Sequence, residues 1–504
     1  MNTLQITKPN YTECSVNNKI VDSKTIIDNK LFHGDILNDD LSLHSSNKSI
    51  FLIGGVIKFH NKYTFGRNEK DVELFEFQPI NWRYPKFLVP SNIKRNLLKA
   101  KESITDYFVV IKFKEWTNKI PIGTIELNVG SVKILGNQYN ILFHYYPNMP
   151  LTKPSPIDTE HISTVLTPTI QHEVYSIDPE GCKDIDDALS YDKHTNRIGI
   201  HIADTDALIE SYNFNKYATI YAPHKNIPMF PENISNDLCS LLEGKSRNVI
   251  TCWINKSETD PTTYTFETNV IQVTKNLSYD QAEKLIHTND SLKILYENSI
   301  ILGSQLGIEV VDTHKMVEVY MVLYNREMAK HLTSNPNMIY RNQIVFKKAT
   351  YNHTRIGHES LKLDYYTHAS SPIRRYVDWI VQKLFKKKEV KIDELENINE
   401  FEIKVKRLYR MWDYLKASSI IKSGTSYEIE LKEIQEDRLV FFCEKLNIMI
   451  YNKIKYEIKY EIIEDEKIVV VQEQEYKIGL KYDRLLYLIE DKKNVLFYKI
   501  LIQF

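Results

Sequence analysis

HEVYSIDPEGCKDIDDALS, residues 172–190, places four aspartates within ten positions: Asp178, Asp184, Asp186 and Asp187. Successive side chains of a strand point to opposite faces, so Val174, Ser176 and Asp178 share one side of a short strand that ends at Asp178. Pro179-Glu180-Gly181 is a turn sequence. Asp184 and Asp186 are two apart and point the same way in extended chain, with Ile185 opposed. Carboxylates buried together repel one another and persist only where cations or solvent compensate them. Oxygen-only ligands select a hard ion, Mg²⁺ or Mn²⁺, over zinc. A solvated acidic loop is the plain alternative. An EF-hand calcium loop does not fit, because the glycine after the third ligand and the later glutamate are both missing.

Working outward, strands and helices alternate between about 171 and 420. Ile198, Ile200 and Ile202 recur at period two, as in a half-buried strand. Ile373, Val377, Ile380 and Leu384 recur at helical spacing. Ser371 before Pro372 predicts a cap with proline at the first helical position, which puts Arg374 and Arg375 in the first turn. Backbone N–H groups at a helix start attract phosphate, and an arginine there adds a bidentate clamp. Residues 395–420 predict a further amphipathic helix, ended by Gly424. Between Ser49 and about Pro150, runs such as IFLIGGVIKF, YFVVIKFKEW and YNILFHYY are broken by Gly, Pro and Asn, which predicts one or two small β-barrels. After Gly424, Tyr427, Ile429 and Leu431 alternate with Glu428, Glu430 and Lys432, and strand signals continue to VLFYKILIQF, as in a five-strand OB-type barrel. Residues 1–45 are polar without clear periodicity and read as a flexible arm or irregular cap.

A chain of 504 residues exceeds a single core, so two to four domains are expected. With 65 basic and 66 acidic residues, bulk charge names no partner. Charge by region is more telling. Residues 51–150 hold 14 Lys or Arg against 8 Asp or Glu, a net of +6, and residues 424–504 hold 13 against 16, a net of −3. The N-terminal barrels are therefore the better platform for a polyanion. Cys14, Cys182, Cys239, Cys252 and Cys443 are dispersed, which suits a reducing compartment and argues against a zinc site or a disulfide frame. The start has no basic-then-apolar pattern and no apolar run is long enough to span a membrane. These features predict a soluble, intracellular, cytoplasmic protein with no membrane partner.

The aspartate stretch resembles the signature of the ribonuclease II/R (RNB) family of processive 3′-to-5′ exoribonucleases. The resemblance continues through RIGIHIADTDALI (197–209), through YAPHKNIPMFPENISNDLCSLLEGKSRNVITCWI (221–254) and through LDYYTHASSPIRRYVDWIVQKL (363–384), in the family's order. Several long independent matches are far more specific than one motif. The fold it implies is a multidomain α+β chain. It would comprise the polar arm at 1–45, a cold-shock or OB-like RNA-binding region at 46–150, a mixed α/β RNB catalytic domain at 151–423 and an OB-like barrel at 424–504.

By that resemblance, Asp178, Asp184 and Asp187 match the family's metal-binding aspartates, and Asp186 matches the one that helps hold the terminal ribose. Arg374 matches the catalytic arginine, so the catalytic set is Asp186, Asp187 and Arg374, with Arg375 beside it as an RNA contact. The plainer account of Arg374 is an ion pair with Asp378 one turn on. Tyr221 and Tyr279 resemble base contacts near the 3′ end, although 32 tyrosines make a chance aromatic common. Glu318, in HKMVEVYM, matches a helix residue that contacts terminal nucleotides in some members; a lone helix Glu is as often merely solvated. Phe59, Tyr63 and Phe65 interleave with Lys58, Lys62 and Arg67, as on a cold-shock surface where rings stack on bases, with core aromatics as the competing explanation. The implied activity is Mg²⁺-dependent (or Mn²⁺-dependent) hydrolysis of single-stranded RNA to nucleoside 5′-monophosphates.

The pattern departs from the family in three places. Between Tyr279 and Glu318 a stacking aromatic has no clear counterpart, and Val311 stands nearest its place. The stretch from Arg341 to Tyr366 is short, which removes channel wall. Gln343 and Gln382 replace histidines common in relatives. Two further readings therefore stand beside the nuclease: an RNA-holding protein with a vestigial nuclease fold, and a DNA-directed metal nuclease. The full aspartate set opposes the first, because an unfilled cluster of like charges is costly. A contact to the 2′-hydroxyl would decide against the second.

Overall fold

In the computed structural model the described residues are 2–503 apart from 47, 60–64, 118, 148, 150–153, 160–165, 256–261, 391–394, 436–437, 454–458, 464–465, 472–473, 491–495 and 497. The chain divides into two units, Met1–Leu151 with Lys406–Phe504, and Thr152–Val405.

In the first unit the expected polar arm is a folded element. Strands Asn2–Lys8, Glu13–Val16, Lys19–Val21, Ile36–Leu37 and Leu43–Ser45 form a five-stranded sheet over a core that includes Leu4, Ile6, Cys14, Val16 and Leu37. Its strands are two to seven residues long, too short to show a period against a polar background. Next, strands Leu52–Ile57, Leu74–Pro79, Phe87–Pro90, Tyr107–Glu115 and Ile122–Ser131 close into a five-stranded barrel. Gly55 is needed where the neighbouring antiparallel strand presses against the backbone: a Cβ there would lie 2.3 Å from the Phe77 ring and 2.5 Å from the Gln78 carbonyl. Toward the C-terminus the five expected strands are present in the order Ile448–Lys453, Arg438–Cys443, Thr425–Gln435, Lys481–Glu490 and Tyr498–Gln503. A separate three-stranded sheet, Lys459–Ile463, Glu466–Val471 and Gln474–Lys477, interrupts them.

The second unit is a mixed α/β domain. Its six strands are β1 (Val174–Asp178), β2 (Asp187–Asp192), β3 (Arg197–Ala203), β4 (Ser246–Asn255), β5 (Thr263–Gln272) and β6 (Lys275–Ser278), in the sheet order β5-β4-β3-β2-β1-β6. All neighbours are antiparallel except β1 and β6. The period-two isoleucines of β3 are buried on the core side, but Gly199 and His201 between them are buried too. The strand lies in the sheet interior, with both faces covered.

Helices α1 (Tyr279–Leu285), α2 (Asp290–Leu306) and α3 (Thr313–His331) follow β6, and α4 (Tyr376–Phe385) comes later. Local chemistry sets their ends. Ser278 and Gln281 form a capping box at α1, the Asn289 and Asp312 side chains cap α2 and α3, and Gly307 closes α2 at φ +70°. The helix expected over 395–420 is Leu395–Ser418.

The start of α4 differs from the sequence expectation. Arg375 is its N-cap, extended at φ −133°, so Ser371-Pro372 does not cap the helix and both arginines precede its first turn. Competing hydrogen bonds explain this. Thr219 donates to the Arg374 carbonyl and Tyr376 donates to the Tyr217 carbonyl, both at 3.0 Å, which draws this stretch into a bridge with Ala218. No helix among the described residues is long and apolar enough to cross a membrane.

Candidate active site

Parallel pairing puts Asp178, at the end of β1, opposite Ser278 at the end of β6. Tyr279, the first residue of α1, therefore emerges beside Asp178. The turn after β1 returns through Asp184 and Asp186 into Asp187, the first residue of β2. All four aspartates line one cleft of about 400 Å³ with Tyr221, Tyr279, Glu318 and Arg374. Residues separated by up to 196 positions thus meet at one end of the sheet, as Asp178 and Arg374 do.

Asp186 is 2% exposed. Its Oδ1 accepts the Ile373 N–H at 2.8 Å and its Oδ2 accepts Arg374 Nε at 2.9 Å. Burial still pushes its carboxyl up to about 7, with Arg374 opposing the shift. Asp178 is raised to about 6, chiefly by burial, while a Ser176 hydrogen bond and Arg374 oppose and Asp184 adds. Its Oδ2 is buried without a hydrogen-bond partner. Burial, then Asp178 and Asp186, hold Asp187 well above the carboxylate range. Asp184 accepts a short hydrogen bond from the Tyr221 hydroxyl. The same negative field reaches further: Cys182 and Tyr279 are each raised to about 12, by burial first and the aspartates next.

These observations test whether the residues suit a divalent cation. Oxygen donors, an orphaned buried carboxylate oxygen and raised acid groups all describe a site short of positive charge, with Arg374 as the cleft's cation. Among the described residues, however, no three His, Cys, Asp or Glu converge as ligands of one ion. Asp186 is committed to Arg374 and Asp184 to Tyr221, so closing a ligand set requires side-chain movement. The donors fit a hard ion; their present arrangement is not preformed.

The remaining candidates divide. Glu318 lines the cleft and pairs with Lys315 at 2.7 Å. Arg375 does not line it: its guanidinium donates to Asp378 Oδ1 at 2.8 Å, so the ion pair anticipated for Arg374 belongs to its neighbour. Phe59 is no stacking platform. It is 3% exposed in the barrel core, edge-on to Phe75 at 5.0 Å, because barrel closure turns it inward. Phe65 is half-buried, and Tyr63 and Lys62 lie outside the described residues. Val311 is 63% exposed and does not line the cleft. Gln382 is buried, accepting from Thr205 Oγ1 at 2.9 Å and donating to the Ala203 carbonyl at 2.7 Å. Gln343 donates to the Lys347 carbonyl at 3.2 Å.

Sequence reasoning missed Cys182, His314, Val317 and Met321 as cleft residues. His314, Glu318 and Met321 are spaced four and three apart on α3, so helical periodicity carried the signal once Glu318 was singled out. The His314 ring lies 4.8 Å from that of Tyr279.

The chain thus combines β-barrel elements with an α/β domain that carries a carboxylate-and-arginine cleft. The RNB domain matches residues 169–306 and 337–388, and the Dis3-like cold-shock domain 2 matches residues 74–146. Both domain matches and the ribonuclease R relatives support the resemblance to the RNB family read from the sequence. The chain is 25% identical over 364 residues to ribonuclease R of Chlamydia pneumoniae, covering 52% of this chain and 54% of that one. It is 23% identical to ribonuclease R of Mycoplasmopsis pulmonis over 544 aligned positions, covering 82% and 73%. The chain spans about half the length of the chlamydial relatives, 54% of one and 46% of another. Mycoplasma genitalium RNase R, solved in complex with ribose-methylated single-stranded RNA, shares the fold at TM-score 0.69 and 18% identity, covering 100% of both chains. Yeast Ssd1, described as a pseudonuclease, shares it at TM-score 0.58 and 13% identity, covering 90% and 78%.

Proposed function

We propose that this protein is a hydrolytic 3′-to-5′ exoribonuclease that shortens single-stranded RNA to nucleoside 5′-monophosphates. The observation that carries this reading is the cleft itself: four aspartates and Arg374, gathered from distant parts of the chain, with Tyr221 and Tyr279 beside them. Asp178, Asp184 and Asp187 would hold Mg²⁺ or Mn²⁺, which when bound supplies charge neutralisation at the phosphate and a water of lowered pKa. Arg374, held by Asp186 Oδ2 and by Ser371 Oγ at 3.0 Å, turns its remaining N–H groups to phosphate oxygens as charge develops there. Asp186 orients Arg374 and offers its remaining lone pairs to the terminal ribose hydroxyls. Ring faces at Tyr221 and Tyr279 suit stacking on any base. The five cysteines, all free, support a reducing, cytoplasmic setting.

One observation favours a second reading, an RNA-holding protein of the same fold without activity: no three acidic side chains converge on one ion among the described residues. A single experiment separates the two. A 5′-labelled single-stranded RNA and its DNA counterpart are incubated with the protein in Mg²⁺ or EDTA, beside an Asp187→Asn variant. Stepwise shortening of RNA alone, abolished by EDTA and by the substitution, is expected. Retention of RNA without shortening would establish the second reading, and shortening of DNA would establish a DNA-directed nuclease.

A further inference from the structure

Arg374 and Arg375 are adjacent in sequence and face different carboxylates. Arg374 Nε donates to Asp186 Oδ2 at 2.9 Å, and Arg375 Nη2 donates to Asp378 Oδ1 at 2.8 Å. The Asp378 side chain is 0% exposed and stands in the first turn of α4. Its Oδ1 also accepts the Ser371 N–H at 2.7 Å. Asp186 Oδ1 accepts the Ile373 N–H at 2.8 Å. One carboxylate on the helix side and one on the cleft side therefore pin the turn that carries Arg374.

The connection to Arg374 runs through Ser371. Arg374 Nη2 donates to Ser371 Oγ at 3.0 Å, so the residue that Asp378 fixes by its backbone is the one that fixes the guanidinium by its side chain. Removing Asp378 would strand a buried N–H and an arginine, a loss large enough to move the turn. Stability alone explains the pair poorly. Asp378 Oδ2 and Arg375 Nε are both buried without hydrogen-bond partners, and incompletely satisfied buried ion pairs are often no more stable than apolar replacements. Orientation is what the arrangement delivers.

We infer that Asp378, together with Arg375, is a positioning residue for phosphodiester hydrolysis: it fixes Ser371 and the turn so that Arg374 presents its guanidinium to the aspartate cleft. This rests on the nuclease reading above. It also takes Arg375 out of direct RNA contact.

The test is a double-mutant cycle between Asp378 and Arg374, read as single-stranded RNA hydrolysis by the full chain in Mg²⁺. Asp378→Ala is expected to lower kcat by about 100-fold with KM within about threefold, the pattern of a lost transition-state interaction. Asp378→Asn, which keeps an oxygen for the Ser371 N–H, should recover activity to within about tenfold of the parent. In an Arg374→Ala background, Asp378→Ala should cost less than about threefold more, because residues acting as one unit are not additive. Thermal melts establish which variants are folded; if Asp378→Ala is not, the cycle is read with Asp378→Asn. Losses that multiply across the two sites, or an unchanged kcat in folded Asp378→Ala, overturn the inference. A parent protein that never shortens RNA overturns the nuclease reading itself.

Discussion

Replacing Asp186 with asparagine should stabilise the metal-free protein while abolishing its activity. Asp186 is 2% exposed and its carboxyl is pushed up to about 7, against an ordinary 3.8. Three units at about 1.36 kcal/mol each make the ionised form about 4 kcal/mol less favourable inside the fold than in the unfolded chain. The sign follows from proton counts. Between 3.8 and about 7 the folded chain binds the proton that the unfolded chain has released, so stability falls as pH rises through this window and the full penalty stands above it. Asparagine keeps an oxygen for the Ile373 N–H but leaves Arg374 without its counter-charge, so about half the gain, ~2 kcal/mol, should survive. For a domain of roughly 250 residues that is a rise of about 4–8 °C. Calorimetry in EDTA should show this rise at pH 8 and almost none near pH 4.5. A melting temperature that is unchanged at pH 8, or that shifts equally at both pH values, refutes the claim that Asp186 is a strained carboxylate.

Three further outcomes are expected. Arg374→Ala should lower the rate of RNA shortening by about 10²–10³-fold, measured by gel in Mg²⁺, with the fold retained by circular dichroism. Mg²⁺ at about 100 times its dissociation constant should stabilise the parent by ~2.7 kcal/mol in a thermal-shift assay without RNA, and Asp178→Asn should remove most of that gain. Phe59→Ala should destabilise the N-terminal barrel by about 3–5 kcal/mol in denaturant titrations, with RNA affinity preserved wherever the barrel stays folded, because the ring is a core residue.

Several features were legible because local chemistry specifies them. The turn after Asp178 follows from Pro179-Glu180-Gly181, and the strand of alternating isoleucines and the helix Leu395–Ser418 follow from periodicity over a few residues. The sheet at residues 2–45 was hidden because its short strands gain stability from each other and leave no pattern in any one window. The SPIRR segment misled for a related reason. Ser-Pro is a sound helix-start signal, but Asp378 takes the Ser371 N–H and Tyr217 takes the Tyr376 N–H, and neither claim is visible in the local sequence.

Spacing and residue type alone determined that the chain carries four clustered aspartates, an adjacent pair of arginines and aromatic-rich β-strands near its start. Only the tertiary structure decided that Arg375 pairs with Asp378 away from the cleft, that Phe59 packs inward and that His314 joins the site. The physical reason is that burial and partner choice are set by contacts between residues far apart in the chain, whereas strand and helix periods are set by neighbours.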